Sequence, residues 1–302
     1  MFAVGYDFQA FDQANYRRDS TNTINIPGTL TGDVLADSAV ENFKNEDPQI
    51  TGHFQGATNQ RCVLDLTGHN NVYTDVDFIA SLFVNMNGSG VAKKYIHWKH
   101  QDNSVPNARA NTTVFEGGAN AVEVSPAANY FGDPLDTFVD SKRNKFYDTR
   151  LVHVFSTTQR IRYLGLNFNK QAGDAVSVGR IIGGKLWKPE RQPSVGVQWQ
   201  RMDSTKINAA PGTFSNYLAG RKYRTLTVQF EYINEAEAYQ FDDIFSFIGQ
   251  AKPIFVIADT ENPIRSSMYC RVTSPLTRVE DWIDQQNIGS VTFTEIVPKQ
   301  RG

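Results

Sequence analysis

The sequence predicts a mainly β protein. An N-terminal jelly-roll β-sandwich is followed by a second β-sandwich or barrel domain with one flanking α-helix, at about 235–248. Three observations carry this. Residues 224–232 (Arg-Thr-Leu-Thr-Val-Gln-Phe-Glu-Tyr) alternate apolar and polar side chains with the period of two of a half-buried strand. They run into a single amphipathic stretch, 234–249. Elsewhere, short apolar runs are separated by Gly, Pro, Asn and Asp, the punctuation of antiparallel sheets. A chain of 302 residues is long enough for two such domains, expected at 1–190 and 191–302.

Residues 10–60 are rich in Asn, Asp, Thr and Gly, with a turn at Pro27-Gly28, and read as loops with short strands. At 61–66, Cys62, Leu64 and Leu66 share one face of a strand. Over 77–86, Phe78, Ala80, Leu82, Val84 and Met86 form an apolar face, and Asn87-Gly88 supplies a turn onto a partner strand at 94–99. Residues 100–148 are polar and broken by Pro106, Gly117-Gly118, Pro126 and Pro134. Strands at 151–155 and 159–168 follow, joined by Ser156-Thr157-Thr158.

A strand entering at Val178 is stopped by Pro189 and Pro193. The second domain starts near Ser194, where Val195, Val197 and Trp199 alternate with polar residues. Asn234 is the expected helix N-cap, with Glu237 three residues on as the other half of a capping box. Tyr239, Phe241, Ile244, Phe245 and Ile248 form the apolar stripe, and Gly249 the C-cap. Pro253 leads into a buried-type strand through Ala258, and 290–296 closes the domain.

Composition narrows the function. Charged residues make up 21% and hydrophobic residues 40%, ordinary values for a globular chain. A formal charge of −2 argues against a bulk electrostatic grip on nucleic acid. Lys93, Lys94, Lys99 and Arg109 lie in one region, where a solvated strand face is the simpler account. Cys62 and Cys270 are far apart in apolar strand contexts and are expected to be buried free thiols. The first seven residues lack the pattern of a secretory signal, and no apolar run approaches the roughly 20 residues of a spanning helix. Folding in a cytoplasm and no membrane insertion are the expectations.

Chemistry-bearing motifs are sparse. His97 and His100, three apart on a predicted strand, point to opposite faces and suit no shared metal. Residues 88–94 lack the full phosphate-loop spacing and join two strands, so they read as a hairpin turn. Asp281 and Asp284 form one acidic pair, and Asp242-Asp243, on the polar face of the helix, read as solvated carboxylates. Asp75 and Asp77 at a strand entry leave a structural calcium open. No nucleophile elbow is present. The expectation is no enzyme, no cofactor and no metal. Aromatic residues make up 12%, with Phe2, Tyr6, Phe8, Phe11 and Tyr16 clustered at the start. Phe2, Tyr6 and Phe8, with Trp187, are candidate subunit-interface anchors; packing within the first domain is the alternative.

Two resemblances follow from these strings. Val63-Leu64-Asp65-Leu66, then 76–84 and Arg162-Tyr163-Leu164-Gly165-Leu166, resemble the discoidin-like or galactose-binding-like jelly roll. The order of 179–190, 224–228, 234–237, 249–256 and 291–295 resembles minor tail and tail-tip proteins of long-tailed bacteriophages, distal-tail-like and baseplate proteins included. That resemblance implies a structural virion protein forming a homo-oligomeric ring, with 235–248 and its strands as ring body. It would be assembled in the host cytoplasm and sit in the tail. Its partners would be its own copies and other tail proteins. The outer domain would contact tail fibres or the host envelope. The rival reading is a carbohydrate-binding or adhesion module holding a host-surface glycan through Trp98, Arg109 and Tyr130.

Overall fold

The computed structural model describes residues 1–6, 8, 15–18, 42–43, 45–47, 50–54, 59–65, 74–83, 85–86, 94–100, 121–124, 150–161, 163–169, 176–193, 197–208, 216–218, 220–261, 263–280 and 285–297. The chain divides into two compact units, Asp7–Lys185 and Met1–Tyr6 with Leu186–Gly302. The first strand, β1 (Ala3–Tyr6), therefore belongs with the C-terminal residues.

The unit from Asp7 to Lys185 contains β2 (Asn15–Arg18), β3 (Gly52–Phe54), β4 (Asn59–Asp65), β5 (Thr74–Leu82) and β6 (Asn85–Met86). They are followed by β7 (Lys94–His100), β8 (Ala121–Val124), β9 (Arg150–Ile161), β10 (Tyr163–Asn169) and β11 (Val176–Val178). Next, β12 (Arg180–Trp187) carries the chain into the other unit. A five-stranded sheet runs β2-β4-β10-β7-β8, and β3-β11-β6 form a small one. The strands at 63–66 and 162–166 that carry the jelly-roll resemblance are direct antiparallel neighbours, with Tyr163 opposite Asp65 and Gly165 opposite Val63.

In this unit β5 lies between β9 and β12. Val76 and every residue from Phe78 to Leu82 are buried, so both faces of the strand are covered. Three details differ from the sequence expectation. The strand expected to reach Met86 ends at Leu82, because Phe83 takes a positive φ of 55°. The expected hairpin onto 94–99 does not form: β7 pairs with β10 and β8. The two strands expected at 151–168 are divided differently, with β9 running unbroken through Ser156–Thr158 and bulging opposite Val76 and Phe78. Three polar β-branched or small residues in a row read as a turn, yet they suit an exposed strand segment equally well.

The other unit contains β13 (Gln198–Asp203), β14 (Lys206–Asn208), β15 (Asn216–Leu218), β16 (Lys222–Asn234), α1 (Glu235–Ile248) and β17 (Ile254–Ile257). After these come a single helical turn, α2 (Pro263–Ser266), then β18 (Ser267–Val272), β19 (Arg278–Glu280) and β20 (Gln285–Glu295). Its sheet runs β13-β16-β20-β18-β17-β1, with β19 also paired to β20, and β14 and β15 form a separate two-stranded ribbon. The alternation read at 224–232 holds: Leu226, Val228 and Phe230 are buried. Two register shifts against β20 and a positive φ of 58° at Tyr232 then re-aim the strand so that Ile233 is buried as well.

Both helix caps predicted from sequence form. The Asn234 side chain accepts from the Ala236 N–H at 2.9 Å, and Gly249, at φ 57°, donates its N–H to the Phe245 carbonyl at 2.7 Å. The capping box does not close. Glu237 instead accepts the Glu190 N–H at 2.9 Å, fastening the helix start to the chain after β12. The buried stripe is Ala238, Phe241, Ile244 and Ile248, while Tyr239, expected inside, is exposed. Arg278 explains it: its guanidinium stacks on the Tyr239 ring at 4.5 Å and holds that ring at the surface.

Packing of α1 on the sheet builds the core of this unit. Phe230 makes edge contacts with Phe2 at 5.5 Å and Trp187 at 5.4 Å, and Trp187 leans on Phe241 at 4.7 Å. Each fully buried aromatic contributes about 1.5–3 kcal/mol by removal from water, and edge contacts add roughly 0.5–1.5 kcal/mol. Among the described residues the protein is mainly β and antiparallel, with one long helix, the fold class the sequence predicts.

Candidate functional site

One strand of the C-terminal unit departs from the packing logic of the rest. All six residues of β13, Gln-Trp-Gln-Arg-Met-Asp, are exposed. Among the described residues the strand pairs with β16 on one side and ends the sheet order, an edge strand of its sheet. Its register places Trp199 opposite Leu226 and Met202 opposite Tyr223. Trp199 thus continues the face on which Leu226 is buried, and Met202 lies on the other face. Both large side chains remain in solvent, at 39% and 42% exposure.

Beneath Trp199 the sheet is cross-tied. Arg224 lies at 5.3 Å under its ring and makes a charge-assisted fork with the Glu295 carboxylate. The same guanidinium donates to the Ser267 carbonyl at 3.3 Å, so one side chain ties β16, β20 and the start of β18 together. Both members are largely buried, at 16% and 8% side-chain exposure.

Past Asp203 the hairpin narrows to the β14–β15 ribbon through a hydrogen-bonded junction. The Asp203 carboxylate accepts the Thr205 N–H and hydroxyl, and these bonds hold its pKa below the usual carboxylate value. Ser204 and Arg221 exchange bonds: the Ser204 N–H donates to the Arg221 carbonyl at 3.0 Å, and the Arg221 N–H to the Ser204 Oγ at 2.7 Å. Gly220 donates to the Thr205 Oγ1 at 3.0 Å. A Cβ at Gly220 would lie 2.1 Å from the Ser204 carbonyl carbon and the Thr205 nitrogen, so only glycine fits. The pairing register slips by one residue across this junction, as a β-bulge requires.

The candidate residues from sequence fall elsewhere. Phe2, Phe8 and Trp187 are buried in internal packing, and Tyr6 is half-buried. Trp98 lies on β7, whose backbone alone is described; Arg109 and Tyr130 lie outside the described residues. His153 is half-buried beside Phe155, at 4.7 Å between ring centroids, and burial lowers its pKa. Asp77 accepts from the Thr158 hydroxyl at 2.6 Å, and Asp242 lies 3.9 Å from Arg278. Asp281 and Asp284 lie outside the described residues.

Cys270 is a buried free thiol whose pKa is pushed well above its usual value by burial and by nearby Glu295. The side chain of Cys62 is not among those described. Among the described residues, no group of three or more His, Cys, Asp or Glu side chains is placed to hold a metal ion, and no helix is long and apolar enough to cross a membrane. The sequence places a strand here, with Val195, Val197 and Trp199 alternating against Ser194, Gln198 and Gln200, but that alternation does not reveal that both faces of β13 are exposed. The signal available was Gln198, Gln200 and Arg201 around a lone Trp.

No known family model matches the sequence, and no curated protein matches it. Among solved structures the chain is similar to CBM32-1 from a family 31 glycoside hydrolase of Clostridium perfringens. The identity is 12% and the TM-score 0.31, over 52% of this chain and 92% of that one. It is also similar to the CBM32-6 module of CpGH89 from the same organism (12%, TM-score 0.29, covering 50% and 89%). A third is the f-lectin, or fucolectin, from striped bass serum, Morone saxatilis (10%, TM-score 0.30, covering 99% and 94%). TM-scores near 0.3 fall short of a shared fold.

Proposed function

We propose that this chain is a non-catalytic structural protein that associates with copies of itself, in keeping with the tail-tip ring proteins its C-terminal half resembles. One observation carries the reading. Among the described residues the β13 strand is exposed on both faces and paired along one edge only, and the β14–β15 ribbon extends the same hairpin. An exposed edge of this kind is a liability in a monomer, and burying it against another subunit removes that liability. A ring in a virion tail, assembled in the host cytoplasm, is the setting the reading supplies. Light scattering on a sizing column tests it: a discrete closed oligomer supports the reading, and a monomer at every concentration and salt overturns it.

Glycan recognition by the Asp7–Lys185 unit, through Trp98, Arg109 and Tyr130, is the second reading. The similar solved structures are carbohydrate-binding modules and a lectin. A glycan array run beside the mass measurement tests it, and binding lost on Trp98→Ala and Arg109→Ala would favour it.

A further inference from the structure

The charges of the C-terminal unit are segregated by element. Residues 198–224 carry Arg201, Lys206, Arg221, Lys222 and Arg224 against a single acid, Asp203. Arg224 is committed to Glu295, while Arg201, Lys206, Arg221 and Lys222 are exposed. From 231 to 250 the pattern inverts: Glu231, Glu235, Glu237, Asp242 and Asp243 stand with no Lys or Arg among them. Glu235 and Asp243 are exposed on α1. The same helix presents two aromatic rings to solvent, Tyr239 and Phe247, each 45% exposed. Both rings already attract cations within the chain, Arg278 over Tyr239 at 4.5 Å and Lys252 over Phe247 at 4.0 Å.

We infer that the basic β13–β15 hairpin of one copy docks on the outer, acidic and aromatic face of α1 in a second copy. This rests on the self-association proposed above and names its two surfaces. Charge selects the pairing. Two hairpins set edge to edge would oppose Arg and Lys with Arg and Lys. Two helices set face to face would oppose acids with acids, and like-charge juxtaposition disfavours both pairings. Hairpin on helix matches sign for sign. It also gives Trp199 apolar partners in the Tyr239 and Phe247 rings, a large anchor inside a polar rim. Because the two surfaces differ, the contact is heterologous: each copy offers both and uses both, so repetition closes a ring or extends a filament.

Two charge-reversal variants of the full chain test it. One carries Arg201→Glu, Lys206→Glu and Lys222→Glu; the other carries Glu235→Lys and Asp243→Lys. All five positions are exposed, and circular dichroism checks that both variants keep the native spectrum. Each variant alone is expected to lose self-association by at least about tenfold in affinity at low salt. Mixed in equal amounts, they are expected to associate again. The intact helix face of the first accepts the intact hairpin of the second, and the reversed hairpin of the first matches the reversed helix face of the second in sign. Rising salt should weaken the association of the unaltered chain.

If the unaltered chain forms oligomers while both variants assemble as it does, the hairpin–helix contact is wrong and self-association stands. A mixture that associates no better than either variant alone overturns it equally. A monomeric unaltered chain removes both.

Discussion

Strands β17 and β13 belong to one antiparallel sheet and reach opposite ends of what a strand can be. All four residues of β17, Ile-Phe-Val-Ile, are buried, and the strand is hydrogen-bonded on both sides, to β1 and β18. The six of β13 are all exposed, and it is paired on one side. The first stabilises the fold by excluding water from both faces. The second contributes little to the fold beyond its ladder with β16. A sheet that covers one strand so completely and leaves another open has its stability and its association surface in different places. Substitutions should therefore separate the two.

The largest loss of stability is expected in the covered core. Phe230→Ala removes the ring against which Phe2 and Trp187 pack and should cost about 3–5 kcal/mol in urea unfolding. A loss below about 1 kcal/mol would mean the aromatic cluster relaxes freely and the contrast with β13 is weaker than drawn.

Next is the ion pair beneath Trp199. Arg224→Met leaves Glu295 buried without its fork and should cost about 3 kcal/mol, whereas Arg224→Met with Glu295→Leu should recover much of that. Equal losses in the single and double variants would show that packing, not charge, governs the site.

Acidification probes the other unit. Burial lowers the pKa of His153, so its folded form stays neutral where the unfolded chain binds a proton. The stability this supplies is present above the ordinary histidine value of about 6.5 and is lost as pH falls through the depressed folded value. Replacing His153 by Gln should flatten that part of the stability–pH curve, and an unchanged slope would assign it to other groups.

The smallest effect on global stability is expected at the hairpin junction. Gly220→Ala forces a backbone shift at Ser204–Thr205, and amide exchange should quicken through β14 and β15 while unfolding of the core stays within about 1 kcal/mol. If the core were destabilised as strongly as by Phe230→Ala, hairpin and sheet would be one cooperative unit.

Local signals were legible and distant ones were not. Asn234 and Gly249 declare the helix ends because caps satisfy backbone groups within two to four residues, and Leu226, Val228 and Phe230 declare a half-buried strand by alternation alone. The pairing of β7 with β10 joins residues some seventy apart, as Gly165 with Trp98, and nothing at either string names the other. Tyr239 reads as part of the apolar stripe until Arg278, on a different strand, is known to lie over its ring. Glu237 fits a capping box in sequence, and only the return of the chain at Glu190 gives it a better donor. The open face of β13 was hidden for a related reason. Burial depends on what lies across from a strand, and no string of six residues records that.

Cys270 makes the same core a clock. Its thiol is fully buried on β18, bonded weakly to the Ile254 carbonyl at 3.8 Å, and held as the unreactive protonated form. In a Cys62→Ser background, a thiol-reactive dye can reach it only when β17 and β18 part, so the labelling half-time measures how often that strand pair opens. Followed with and without assembly, the half-time would reveal whether subunits joined at the far edge slow the breathing of the centre.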